Sequence, residues 1–306
     1  MKNYILSILL IAPVLNLLAQ QEVKLSAENV DLYGTLLAPS AKTNKVVLII
    51  SGSGATDRDG NTKPLYTNDA LKKLAEELTS LGYATLRYDK RGVGKSISNA
   101  LKAEDLRFEH NISDAGAWIL FLKKKYTDIT VIGHSQGALV GMLAIQKNGV
   151  NGFISLAGLS EDAYTTVKRQ LSNQPKFVVD DAFPILDSLK AGLKVNNVPS
   201  YLNSLFGPKI QDYFISFMRY DPRIEIRKIS CPILVIQGTT DLQITVEGAT
   251  EMSIGSPDVT LSIIEGMNHV LRKSTSNVNE NMGTYSNAAQ PLHPDLVITI
   301  RNFIDR

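Results

Sequence analysis

Cysteine is nearly missing from this sequence: among 306 residues only Cys231 is present. A single thiol excludes an intrachain disulfide framework and any multi-cysteine metal site. Cys231 opens the run "CPILVIQG", where a small apolar residue entering a buried strand explains it better than a nucleophile does. Net charge is small too. The formal net charge is +2, so nothing points to nucleic acid or another polyanion as partner. The short basic run "LKKK", from Leu122 to Lys125, reads as the solvated end of a helix. No low-complexity tract and no repeat of fixed period is visible.

The one long apolar segment is N-terminal. Lys2 precedes "NYILSILLIAPVLNLLA", a charge-then-apolar order that suits a secretory signal over residues 1–19. It is short for a membrane anchor, which needs about 20 apolar residues, but Leu17 stands where a small residue is preferred before the cut, so an uncleaved anchor is the alternative. The mature protein is expected to be exported, periplasmic or extracellular, without stable membrane association once the signal is cut.

The full chain is 44% apolar, ample for a sizeable core. "VKLSAENVDLYGTLLAP" alternates like a β-hairpin. Six apolar strand-like runs follow: Lys45 to Ser51, "ATLRYD", "ITVIGH", "GFISLAG", "PILVIQG" and "TLSIIEG". Between them lie helical patterns, "TNDALKKLAEELTSLGY", "DAGAWILFLKKKY" and "SQGALVGMLAIQK", with "PDLVITIRNFIDR" closing the chain. Such alternation predicts an α/β fold with a mainly parallel eight-stranded sheet covered on both faces. Residues 159–222 break the pattern with scattered aromatics, several prolines and no strand-like run. They predict a helical cap inserted between two strands of one sheet.

Two phosphate motifs are nearly present and both fail. "GSGATD" has Asp57 where a dinucleotide fingerprint needs its last glycine, and "DKRGVGKS" has Asp89 where a P-loop needs its first. The motif that survives is Gly133-His134-Ser135-Gln136-Gly137. It sits between a strand and an apolar-periodic helix, the context in which G-x-S-x-G presents a nucleophile on a strained turn. Glycines two before and two after the serine avoid collisions with the strand and helix.

A serine nucleophile needs a base, and the base needs an orienting carboxylate. His110 lies upstream, and His134 is inside the turn with its side chain directed away from the serine's. His269 follows the strand-like run "TLSIIEGMN", where it can reach back over the sheet edge. His293, in "PLHP", lies away from any strand end, so His269 is favoured. "PILVIQGTTD" delivers Asp241 to a neighbouring strand end, although an aspartate there also suits a plain turn. The order Ser135, Asp241, His269, each at its own strand end, converts three weak signals into one candidate triad.

With these residues in view, the chain resembles the α/β-hydrolase superfamily over nearly all of residues 20–306. The segments "GSGATDRDGN", "LRYDKRGVGKS", "GHSQG", "YDP", "VIQGTTD" and "EGMNH" look like the bacterial serine esterase branch near serine aminopeptidases (S33-like) and dienelactone-hydrolase-like proteins. The resemblance implies hydrolysis of small to medium carboxylic esters through an acyl-serine, with no metal or organic cofactor. It further implies an oxyanion hole made by the backbone N–H of Ser53, or alternatively Gly54, together with that of Gln136. The His-Gly start common in the superfamily and the "HGGG" loop of lipase-like esterases are missing, so large tertiary-alcohol esters are not indicated. The serine argues against true dienelactone hydrolases. Asp57, Arg58, Asp59, Asp89 and Arg91 read as ion pairs bracing loops, with Arg58 or Arg91 on a substrate carboxylate as the alternative. Two other functions stay open. One is a serine peptidase on the same triad, with Glu161, Asp180 or Asp181 holding a substrate amino terminus. The other is a non-catalytic ligand-binding protein on the same scaffold. The cap aromatics could line a pocket or form the cap's own core.

Overall fold

Along the first central strand, alternate side chains leave in opposite directions, and both directions are apolar. In this computed structural model, which describes residues 19–28, 30–254 and 258–306, that pattern builds a sheet with two buried faces. Val46, Leu48 and Ile50 enter one core cluster, whereas Val47 and Ile49 enter the other. A strand buried on both sides belongs in the middle of a sheet covered by helices.

The strands are β1 (Ala19–Ala27), β2 (Val30–Ala38), β3 (Lys45–Ile50), β4 (Ala84–Tyr88), β5 (Asp128–His134), β6 (Gly152–Leu156), β7 (Ile233–Gly238) and β8 (Val259–Ile264). They form one eight-stranded sheet in the order β1-β2-β4-β3-β5-β6-β7-β8. The hairpin β1–β2 is antiparallel, with Val23 opposite Gly34, and β2 runs antiparallel to β4. From β4 onward every neighbour is parallel, as in Leu48 opposite Val131 and Ile154 opposite Leu234.

Helices α1 (Ala70–Ser80), α2 (Phe108–Lys123) and α3 (Gln136–Asn148) follow β3, β4 and β5. After β6 come α4 (Ala163–Ser172), α5 (Lys176–Lys190), α6 (Asn203–Phe206), α7 (Gln211–Phe217) and α8 (Pro222–Glu225). The chain closes with α9 (Val246–Ile254), α10 (Val278–Gly283) and α11 (Pro294–Ile304). Helix α1 buries the stripe Leu71, Leu74 and Leu78, and α11 buries Leu296, Val297, Ile300 and Phe303, both in the same cluster. Helices α2 and α3 cover the opposite face. Trp118 of α2 is fully buried and lies 5.7 Å from the ring of Tyr88 on β4.

Three local differences from the sequence reading have physical causes. Strand β1 begins at Ala19 rather than Val23. The residues from Ala19 to Glu22 are exposed, and ladder hydrogen bonds to β2 extend it without an apolar pattern. Helix α2 begins at Phe108, one and a half turns before Asp114. Its N-terminus is closed by His110, whose Nδ1 accepts the Arg107 N–H at 3.1 Å. Asp114 is buried within the helix against Arg91. Helices α9 and α10 were not anticipated. The expected signal segment lies outside the described residues apart from Ala19. Among the described residues, no helix is long and apolar enough to cross a membrane.

Candidate active site

The turn after β5 holds a non-glycine residue at positive φ. Ser135 sits at φ 55°, ψ −124°, a conformation that costs a non-glycine residue about 1–3 kcal/mol and persists only where its surroundings enforce it. Enforcement comes from both sides. The Ser135 N–H donates to Leu156 O on β6 at 3.1 Å, and the Ser135 carbonyl receives the first α3 bond from Ala138 N at 3.0 Å. A Cβ on Gly133 would be driven into the backbone of Gly137 and Ala138. One on Gly137 would meet the carbonyls of Ile50 and Ser51. The chain can therefore reverse from strand to helix here only with glycine at both positions.

Asp241 stands three residues beyond β7, with its side chain wholly buried. Four donors hold its carboxylate. Oδ1 accepts Gln243 N at 2.7 Å and Ile244 N at 3.0 Å, while Oδ2 accepts Gln237 Nε2 at 3.1 Å and lies 2.9 Å from His269 Nδ1. Burial by itself would raise the pKa of this carboxyl. The neighbouring imidazole and the hydrogen bonds outweigh burial and hold it below the usual aspartate range. An anionic Asp241 facing Nδ1 fixes the tautomer that leaves Nε2 of His269 as the basic nitrogen.

His269 lies on the loop after β8, and its position is over-determined. The His134 ring packs 5.0 Å from the His269 ring, and its Nε2 donates to the His269 carbonyl at 2.9 Å. Burial, reinforced by the second imidazole, pushes His134 down to about 4, so it is neutral near pH 7 and acts as an N–H donor. The adjacent Asn268 is fully buried and donates to Asn281 Oδ1 and Thr284 Oγ1, while Asn281 donates to the carbonyl of Thr240. One asparagine thus ties the Asp241 loop to the His269 loop. Neither His134 nor Asn281 has a sequence signal for this role, because both depend on which way a loop side chain turns. His110 and His293 lie elsewhere and cap α2 and α11.

Ser135 lies between two cavities. The larger, about 520 Å³, lies under α4, α6 and α7 and is walled by Leu159, Val167, Leu205, Ile210, Phe214 and Phe217, with Gln136 and Ser53 at its floor. The smaller, about 250 Å³, holds His269, Tyr66 and Tyr285 beside Ser135 and Ser53. Ser135 Oγ makes no hydrogen bond to His269 among the described residues, though both face this smaller cavity. Catalytic bonds of this kind commonly tighten only with substrate present. The N–H groups of Ser53, Gly54 and Gln136 also lack acceptors among the described residues. Gln136 is held from the cap side: Asn111 donates to Tyr213 Oη at 2.9 Å, and Tyr213 donates to Gln136 Oε1 at 3.0 Å.

The charged residues of the two glycine-bearing loops are committed to one another. Arg58 is bidentate on Asp89, Arg87 pairs with Asp59, and Arg91 is bidentate on Asp114. Asp57 accepts the N–H groups of Asp59 and Asn61. Arg91 borders the larger cavity, but with two nitrogens on a buried carboxylate. Glu161 pairs with Arg169, Asp180 with Lys176, and Asp181 accepts Tyr201. Cap aromatics divide: Tyr213, Phe214 and Phe217 line the cavity, Phe206 packs behind Phe214, and Phe177 and Tyr201 are exposed. Cys231 is half-buried, its thiol pushed up to about 11 by burial. Among the described residues, no group of three His, Cys, Asp or Glu could hold a metal.

This sheet order, with a helix crossover after each parallel strand, is the α/β-hydrolase fold. The profile described as serine aminopeptidase, S33, matches residues 67–200. Esterase EstD of Thermotoga maritima is 27% identical over 236 residues, covering 74% of this chain, and this chain spans about half, 54%, of EstD. A monoglyceride lipase homolog of monkeypox virus is 26% identical, covering 69% of this chain and 80% of that protein. Among solved structures, Est1E from Butyrivibrio proteoclasticus with ferulic acid bound superposes at TM-score 0.60. It is 21% identical, covering 93% of this chain and all of that one. The Pyrococcus furiosus esterase Pf2001 also gives TM-score 0.60 at 19% identity, covering 95% and 91% of the two chains.

Proposed function

We propose that this chain is a serine hydrolase that cleaves carboxylic esters of small to medium size through an acyl-serine intermediate. The observation that carries the reading is the arrangement around Ser135. A strained, cavity-facing hydroxyl lies beside a buried Asp241–His269 pair and beside backbone N–H groups without acceptors. Relatives named esterases and a lipase homolog support the same reading.

In this mechanism His269 Nε2 takes the Ser135 proton as Oγ attacks the ester carbonyl. Asp241 stabilises the imidazolium, and the N–H groups of Gln136 and Ser53 receive the oxyanion. The protonated His269 then returns its proton to the leaving alkoxide. The leaving group must therefore lie on the His269 side, which is the smaller cavity, and the acyl group in the larger apolar one. Water repeats the cycle in reverse to free the acid. A peptidase of the aminopeptidase type would need a carboxylate near the site to hold a substrate ammonium. Among the described residues lining the two cavities none is Asp or Glu, and Lys90, Arg91 and Arg107 border the larger one. Esters are favoured accordingly.

The test is turnover of p-nitrophenyl esters of graded acyl length, with an aminoacyl amide alongside, by wild type and Ser135→Ala. Loss of about 10³-fold or more in the folded variant supports the reading; undiminished ester turnover contradicts it, and a preference for the amide moves it to peptidases. We further propose export through residues 1–19. A cell fraction and N-terminal sequence showing intact residues 1–19 in the cytoplasm would contradict this.

A further inference from the structure

Lys90 follows β4 and turns inward beneath the loop after β3, where it is 6% exposed. Its Nζ donates to two main-chain carbonyls, a short bond to Gly52 O and one of 2.9 Å to Gly54 O. Burying an ammonium without a carboxylate is unfavourable. Burial alone pushes Lys90 down to about 7, with no acidic group offsetting it. The cationic and ionisable neighbours are Arg91, tied to Asp114, and His134, which is itself disfavoured as a cation partly by Lys90. A lysine at this point thus works against stability, and its contacts lie on the loop that faces the nucleophile.

The chemistry of those contacts is specific. The Gly52 carbonyl belongs to the same planar peptide unit as the Ser53 N–H. In a trans unit the two point in opposite directions, so anchoring the oxygen aims the N–H away from Lys90. Hydrogen bonding at the oxygen also polarises the amide and strengthens its N–H as a donor. The next unit differs: among the described residues, the Ser53 carbonyl accepts only the neutral hydroxyl of Thr56, at 2.8 Å. We propose that Lys90 is a positioning residue of the oxyanion site, which holds the Gly52–Ser53 peptide by its carbonyl and so makes the Ser53 N–H, rather than that of Gly54, the partner of Gln136. The second bond, to Gly54 O, pins the far side of the same turn. Both protonation states of the amine carry the two hydrogens that the carbonyls require. The proposal rests on the hydrolase reading above.

Lys90→Met removes both donors, and Lys90→Gln keeps a polar chain of similar length should the methionine variant not fold. Three quantities are read on p-nitrophenyl butyrate and an aryl boronic acid: kcat, KM and the inhibition constant, with thermal unfolding to establish that each variant is folded. The boronate forms a tetrahedral adduct with the serine and so reports the oxyanion site. The expected result is a fall of roughly 10- to 100-fold in kcat, a similar loss of boronate affinity, and KM within about threefold of wild type. A packing role alone would move the unfolding midpoint without this split. Folded variants with kcat and boronate affinity within about threefold of wild type would overturn the assignment, as would a rise in KM alone. If wild type itself neither turns over the ester nor binds the boronate, the hydrolase reading fails, and the role of Lys90 falls with it.

Discussion

Asp241 has its four lone-pair directions filled before any substrate arrives, three of them by Gln237 Nε2 and the N–H groups of Gln243 and Ile244. That saturation keeps the carboxylate charged although its side chain is wholly buried. Asp241→Asn keeps the shape and most of these bonds but allows the wrong histidine tautomer. We expect a folded protein whose kcat falls by about 10⁴-fold, read in a steady-state ester assay; a loss below tenfold would remove Asp241 from the mechanism. At this scale the sequence was partly legible. Ser135, Asp241 and His269 stand out because each follows a strand-like run at a short, fixed distance. Lys90 and Asn281 do not, because nothing in "RYDKRG" or "VNENMG" says that a charged or amide side chain will turn inward onto backbone carbonyls.

The elbow between β5 and α3 is the element on which the site depends. Its helix is buried at every position from Gln136 to Ile145, so the turn cannot relax outward when crowded. Gly137→Ala should destabilise the protein by about 3 kcal/mol, since its methyl group meets the Ile50 and Ser51 carbonyls rather than a mobile side chain. Chemical denaturation measures this, and a change under about 0.5 kcal/mol would mean that the turn is looser than described. The strands themselves were readable in order and number, because β-branched runs bounded by glycine and charge leave little choice. Helix ends were less so. The helical pattern "DAGAWILFLKKKY" starts at Asp114, yet Asp114 lies in the second turn of α2, where the buried Arg91 pairs with it. Helices α9 and α10 have too weak an apolar period to announce themselves, and α10 is held by the Asn277 cap and Asn281.

Across the whole molecule, one sheet serves two purposes. Its two buried faces supply stability, and its C-terminal edge brings the ends of β3, β5, β7 and β8 to one place. The helices between β6 and β7 then close a largely apolar cavity over that edge. Sequence composition marked this segment as different but could not sort its aromatics. Whether Phe217 lines a cavity or fills a core depends on how α7 rotates against α2, a tertiary matter. The central claim is that Ser135 is an activated nucleophile in this setting. A fluorophosphonate probe followed by peptide mass mapping tests it most directly. One stoichiometric adduct is expected, on the peptide carrying Ser135, and none in Ser135→Ala; an unlabelled wild type, or equal labelling of the alanine variant, would contradict an activated Ser135.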